Sequence, residues 1–130
     1  MDEIEVQAHI QPTEDMEKVM LAIENIFGTT LEREVCREGA VLKCKAKDRE
    51  NLVRLRTILQ RERIRDAARK VFLAGLRGNT ITFFLNKQVA YAGHVSFCEE
   101  SAESSLGPIR VKINTENPLK LVDWIAPRSR

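Results

Sequence analysis

From the N-terminus, Ile4, Val6, Ala8 and Ile10 alternate with Glu5, Gln7, His9 and Gln11. Alternation with period two marks a strand that has one buried and one wet face, and Pro12 ends it. Thr13 is then placed as a helix cap, and Glu14, Asp15 and Glu17 fill a first turn where carboxylates complement the dipole. Met16, Val19, Met20, Ile23 and Phe27 recur at helical spacing up to Gly28, which predicts a first helix.

The following run tests its own register. With Glu38-Gly39 at the tip of a tight hairpin, Leu31, Arg33 and Val35 meet Ala46, Cys44 and Leu42 on one face. On the other face Glu32 meets Lys45, Glu34 meets Lys43, and Cys36 meets Val41. A slip of one residue destroys both the apolar face and the opposite-charge pairs. This register puts Cys36 and Cys44 on opposite faces.

Asp48 is the expected cap of a longer helix whose buried stripe runs through Leu52, Leu55 and Leu59, then Ile64, Ala67, Ala68 and Val71. The step from Leu59 to Ile64 is out of phase with a single helix, so a kink or two abutting helices is expected at Arg61-Glu62-Arg63. Gly75 and Gly78 close this element, and Thr80 to Leu85 reads as a strand. Asn86 to Ala92 fits a short capped helix and Val95 to Cys98 a strand. Glu99 to Ser105 is a polar loop, and Ile109, Val111 and Ile113 mark another strand. Asn117-Pro118 opens a last helix through Leu119, Leu121, Val122, Trp124 and Ile125, stopped by Pro127 and followed by the tail Arg128-Ser129-Arg130. The whole reads as a single α+β domain over 1–130: an antiparallel sheet packed on helices. Its β-α-β-β-α-β core is followed by a short helix, two strands and a terminal helix.

Composition changes this picture in two ways. No stretch is apolar enough to span a membrane, and three cysteines without a secretory segment point to reduced thiols and a cytosolic location. The net charge of +2 conceals an uneven distribution. Residues 1–48 carry net −5, residues 49–77 net +6 and residues 78–130 net +1. An anionic partner would be drawn to the middle segment, whose cations are Arg49, Arg54, Arg56, Arg61, Arg63, Arg65, Arg69, Lys70 and Arg77.

The planar guanidinium suits phosphate oxygens, and Arg61, Arg65 and Arg69 recur every fourth residue as if along one helix face. Arg54, Arg61, Arg65, Arg69, Lys70 and Arg77 are therefore the candidate nucleic-acid contacts. The competing reading is a solvated face partly paired with Glu62 and Asp66. Gly75-Leu76-Arg77-Gly78 matches the G-x-x-G loop with which K-homology domains clamp a nucleic-acid backbone, but glycines around a helix end explain it as well. His94 and Cys98 have a ligand-like spacing. No C-x-x-C accompanies them, so neither a metal site nor a cofactor is expected. His9 reads as a surface histidine. No nucleophile elbow, P-loop or paired carboxylates in an apolar setting argue for an enzyme or a small-molecule substrate. The expected wet face of the sheet carries Glu, Gln, Lys and Thr and lacks stacking aromatics, which restricts RNA recognition to backbone and shape.

Four segments spread over nearly the whole chain carry a resemblance. They are Pro12-Thr13-Glu14-Asp15 with Glu17-Lys18-Val19; Asn86-Lys87-Gln88 with Ala90 and Gly93; Leu106-Gly107-Pro108-Ile109; and Asp123-Trp124-Ile125-Ala126-Pro127. Together they resemble an archaeal family of small uncharacterised proteins grouped with predicted RNA-binding proteins. The resemblance implies a fold like that of the ribosomal large-subunit protein that binds 5S RNA, an RNA-related function and a homodimer; it supplies no catalytic residues. RNA binding through the arginine-rich helix is the leading expectation. A homodimeric scaffold or interaction module with no nucleic-acid role is the alternative.

Overall fold

The computed structural model describes residues 2–36, 41–47, 49–99 and 107–128. Strand β1 (Glu3–His9) leads to helix α1 (Met16–Phe27), then to the hairpin of β2 (Glu32–Cys36) and β3 (Val41–Ala46). Helices α2 (Glu50–Arg61) and α3 (Arg65–Ala74) follow, then β4 (Leu76–Arg77), β5 (Thr80–Asn86) and the short helix α4 (Lys87–Tyr91). The order closes with β6 (Phe97–Cys98), β7 (Pro108–Asn114) and α5 (Pro118–Ile125). The strands form one antiparallel sheet in the order β2-β3-β1-β7-β5-β4, with β6 also pairing β5. The expected α+β architecture is observed, enlarged by the two-residue strand β4.

Burial follows the period-two rule. Ile4, Val6 and Ala8 of β1, Leu42 and Cys44 of β3, Ile81, Phe83 and Leu85 of β5, and Ile109, Val111 and Ile113 of β7 are buried on one face. They form a single core with Val19, Ile23 and Phe27 of α1, Leu52, Leu55 and Leu59 of α2, Phe72 of α3, and Leu121, Val122 and Ile125 of α5. Phe72 packs on Phe83 at 4.8 Å between ring centroids, and Phe97 closes the cluster. The helices thus cover one face of the sheet, and the alternate residues of its strands form an open polar face.

The hairpin register is the expected one, including Glu32 opposite Lys45 and Glu34 opposite Lys43. Its tip at Glu38-Gly39 lies outside the described residues. So do the expected cap Asp48, all of the polar loop except Glu99, Leu106 in the third resembling segment, Ser129-Arg130 and the side chain of Cys36. Arg49, at the N-cap position of α2, has helical φ and ψ and makes no side-chain cap hydrogen bond.

Several expectations shift locally. Asp15 caps α1 in place of Thr13, accepting from the Glu17 N–H at 2.9 Å, because a turn from Gln11 to Glu14 delays the helix start. Ala67 is exposed, and Phe72 takes the inward place on α3. Leu119 is 57% exposed on α5. Cys44 is buried against Met20, and burial pushes its thiol up to about 11.

The break between α2 and α3 falls where the phase of the stripe requires it. The Ile64 N–H donates to the Leu59 carbonyl (3.1 Å) and the Arg63 N–H to that of Gln60 (3.3 Å), the hydrogen bonds of a Schellman motif. Arg63 holds the left-handed position of this motif at φ 58, and it is the only non-glycine with positive φ among the described residues.

Candidate nucleic-acid interface

The helix break divides the arginine-rich segment. Arg61 ends α2 and Arg65 begins α3, so Arg61, Arg65 and Arg69 do not form one continuous stripe. Arg54 and Arg56 lie two residues apart on α2 and so point to opposite sides of it. On one side Arg54 donates to the Glu24 carbonyl of α1 at 2.9 Å. On the other, Arg56 donates to the Trp124 carbonyl of α5 at 2.9 Å. The Arg49 and Arg56 guanidiniums lie 5.4 and 5.3 Å from the Trp124 ring centroid, within cation–π range.

Arg69 is committed to the same helix, pairing with Asp123 at 2.7 Å and donating to the Ala126 carbonyl at 3.4 Å, with 17% of its side chain exposed. Cations at the C-terminal turn of α5 complement its dipole and its free carbonyls. Arg49, Arg56 and Arg69 therefore hold α5, which removes Arg69 from an open nucleic-acid surface. Trp124 and Asp123, both in the last resembling segment, are partners of these arginines, and Arg49 also pairs with Asp2 at 2.9 Å.

The other candidates stay at the surface. Among the described residues Arg61 pairs with the adjacent Glu62 at 3.4 Å, and Glu62 also meets His94 at 2.7 Å. Burial acts to raise the Glu62 carboxyl, but the hydrogen bonds from His94 and Arg61 outweigh it and leave the pKa below the usual carboxylate range. Arg63 and Arg65 line a shallow cleft of about 340 Å³ with Gln60 and Asp66. Lys70 is exposed on α3. Arg77 lies on β4, where it donates to the Ala74 and Leu76 carbonyls.

The G-x-x-G segment is a hairpin. Gly75 ends α3, Leu76 and Arg77 pair with Ile81 and Thr80, and Gly78 (φ 60) opens a two-residue turn with Asn79. No helix follows it, so the K-homology geometry is absent. Among the described residues no three His, Cys, Asp or Glu side chains gather into a metal site, and no helix is long and apolar enough to cross a membrane.

The open sheet face departs from the sequence reading at one residue. Because Phe83 faces the core, Phe84 faces out, half-buried, opposite Arg110 in the ladder. The same row continues through Gln7 to Lys43, and Arg110 donates to Gln7 Oε1 at 2.7 Å. The next row runs Thr82, Lys112, Glu5, Lys45 and Glu32. The expectation that this face lacks an aromatic is thus overturned. The signal was present in Thr80-Ile81-Thr82-Phe83-Phe84-Leu85, where inward Ile81, Phe83 and Leu85 require an outward Phe84.

Two of the resembling segments meet in a buried polar cluster at one end of the sheet. Lys87, fully buried at the start of α4, donates to the His9 carbonyl (2.6 Å) and to Glu14 Oε1 (3.0 Å). Glu14 also accepts from the Gln11 N–H at 2.9 Å and the Tyr91 hydroxyl at 3.2 Å. Asn25 of α1 donates to the Ala90 and Tyr91 carbonyls of α4. Glu14 is thus a buried anchor that precedes the helix cap, not one of its first-turn carboxylates.

Burial, followed by the charge of Glu14 and the hydrogen bond to it, pushes the Tyr91 phenol up to about 12. The folded pKa lies above the unfolded value of about 10, so this contribution to stability is complete below pH 10 and lost as pH rises towards 12. Tyr91 is the single tyrosine. Absorbance titration of the folded protein at about pH 11 should therefore show little phenolate, which should rise sharply when denaturant is added.

The comparisons with known proteins agree with this architecture. A family model described as RNA binding matches residues 3–115. The UPF0201 protein of Saccharolobus islandicus is 39% identical over 99% of this chain and 90% of its own length. This chain belongs to the UPF0201 family. Another member, from Sulfolobus acidocaldarius, is 38% identical with the same coverage. The crystal structure of the UPF0201 protein from Methanococcus jannaschii superposes with a TM-score of 0.83 at 35% identity, covering 98% of this chain and 95% of that one. A DUF54 protein from Methanothermobacter thermautotrophicus, at 20% identity and a TM-score of 0.64 over 95% of this chain and 96% of that one, shares the fold. Family membership therefore extends from the first resembling segment to the last.

Proposed function

We propose that this protein binds RNA, and that Arg61, Arg63 and Arg65 at the α2–α3 joint contact backbone phosphates, with Arg54, Lys70 and Arg77 extending the contact. The description of the family model supports the class of ligand. The observation that carries the location is Arg63. Its position in the Schellman motif is one where glycine is usual, and a side chain in the left-handed region costs about 1–2 kcal/mol. Strain of this kind persists where the side chain serves a purpose, and here it presents a third cation beside Arg61 and Arg65. With Arg69 committed to α5, Arg61, Arg63, Arg65 and Lys70 against Glu62 and Asp66 still give the segment a positive balance.

The test compares Arg63→Gly with Arg61→Ala/Arg65→Ala in binding to a ribosomal RNA fragment. Arg63→Gly should leave stability unchanged or raise it by up to about 1 kcal/mol while weakening binding by roughly 3- to 10-fold. The double variant should weaken binding by about 10-fold or more and reduce the salt slope by about two. Wild-type affinity in both variants would contradict this placement of the interface.

A further inference from the structure

We infer that the β7–β5 half of the open sheet face is a second part of the RNA-binding surface, on which Phe84 stacks a single unpaired base while Arg110 and Lys112 hold the flanking phosphates. This rests on the RNA-binding reading above and adds to it a ligand form, single-stranded RNA, and a distinct site.

Three observations converge. First, Phe84 is half-buried on the polar face, while the other rings on β5 and β6, Phe83 and Phe97, pack with Phe72 in the core. An aromatic ring on a wet sheet face is unneeded for the core and offers a flat apolar surface that any base can cover.

Second, charge is segregated across this face. The outward residues of β7, β5, β4 and β6 are Pro108, Arg110, Lys112 and Asn114, then Thr80, Thr82, Phe84 and Asn86, then Arg77 and Cys98. They include three cations and no carboxylate. The acidic side chains of the face, Glu3, Glu5, Glu32 and Glu34, stand on β1 and β2. Glu32 and Glu34 face Lys45 and Lys43 in register, so their charge is met on that side, while Glu5 stands between Lys45 and Lys112 and 3.9 Å from Arg110, which leaves the two β7 cations facing a single carboxylate.

Third, the cation beside the ring is held in place. Arg110 sits directly across the ladder from Phe84 and is oriented by its 2.7 Å hydrogen bond to Gln7, with Glu5 farther off at 3.9 Å. Lys112 lies one inward residue along the same strand, about 7 Å away, comparable to the spacing of successive phosphates in an extended strand. A ring flanked on one strand by two cations thus fits a nucleotide whose base lies on Phe84 and whose phosphates lie over β7. A duplex cannot present an unstacked base to such a surface, which selects the single-stranded form.

The experiment measures binding of full-length protein to a single-stranded oligouridylate and to an RNA duplex of equal length. The variants are Phe84→Leu, Phe84→Ala, Phe84→Tyr and Arg110→Ala. Phe84→Leu keeps apolar bulk without a π face, so it reports on stacking even where alanine disturbs the fold. The inference predicts that Phe84→Leu and Phe84→Ala lose about 10-fold or more in affinity for the single strand and little for the duplex, and that Phe84→Tyr retains binding. Arg110→Ala should reduce the single-strand salt slope by about 0.7. Unchanged single-strand affinity in Phe84→Leu overturns the inference and leaves the α2–α3 reading intact. Absence of wild-type binding to either RNA overturns both. A dimer in light scattering that dissociates in Phe84→Leu also overturns it, since the face would then be covered by a second copy.

Discussion

Replacing Glu14 with alanine is expected to destabilise the protein by about 3–5 kcal/mol, the usual cost of leaving one partner of a buried ion pair alone. Side-chain exposure is 0% for Lys87 and 5% for Glu14, so water cannot take over the role of the missing carboxylate. The damage extends beyond one contact. Glu14 gathers the Gln11 N–H, the Lys87 ammonium and the Tyr91 hydroxyl, and Lys87 also binds the end of β1 through the His9 carbonyl. The pair therefore ties the β1–α1 corner to the β5–α4 corner. In thermal melts the loss should lower Tm by roughly 10–20 °C. Glu14→Leu combined with Lys87→Met should recover only part of it, because the apolar pair removes the stranded ammonium but leaves the Gln11 N–H, the Tyr91 hydroxyl and the His9 carbonyl without these partners. Equal stability of Glu14→Ala and wild type would refute the buried pair.

The second large effect is expected at Gly75. A Cβ built there would lie 1.9 Å from the Thr82 carbonyl oxygen, a backbone atom that cannot swing aside. The two residues are already joined by a hydrogen bond from the Thr82 N–H to the Gly75 carbonyl at 3.1 Å. An alanine must push β5 away from the end of α3, in the strand that carries Phe83, at a cost of roughly 3 kcal/mol. Gly78→Ala is the contrasting control. Nothing lies within 4 Å of its added Cβ, so only the left-handed φ of 60 opposes it, at about 1–2 kcal/mol. Chemical denaturation of the two variants should rank Gly75→Ala as the less stable. The reverse order would mean that β5 does not approach the end of α3 as described.

Much of the fold was legible because local patterns carried redundant information. In the β2–β3 hairpin, the apolar face and the two Glu–Lys pairs select the same register. The α2–α3 break was legible from the five-residue step between Leu59 and Ile64. What the chain does not encode locally is the direction a helix face takes once it is packed. Arg56 and Arg69 look like solvated cations until α5 is set beside them, and their targets, Trp124 and Asp123, stand more than 50 residues away. Glu14 and Lys87 are likewise 73 residues apart, so no spacing rule links them. The four-residue recurrence of Arg61, Arg65 and Arg69 misled because periodicity has meaning only within an unbroken helix. Phe84 was legible in principle, but the run Phe83-Phe84 hides its alternation unless the phase is taken from the flanking Ile81 and Leu85.

RNA binding led by phosphate contacts makes one demand on the intact protein that other readings do not. Affinity for RNA should fall steeply with salt, by roughly 100- to 500-fold between about 50 and 200 mM if some five cations among Arg54, Arg61, Arg63, Arg65, Lys70 and Arg77 displace counterions. A titration of the wild-type chain with labelled RNA at those two concentrations measures this directly. A slope of about −3.5 to −4.5 in the logarithm of affinity against the logarithm of salt is the predicted result. No binding at the lower salt, or an affinity that does not change with salt, would contradict it.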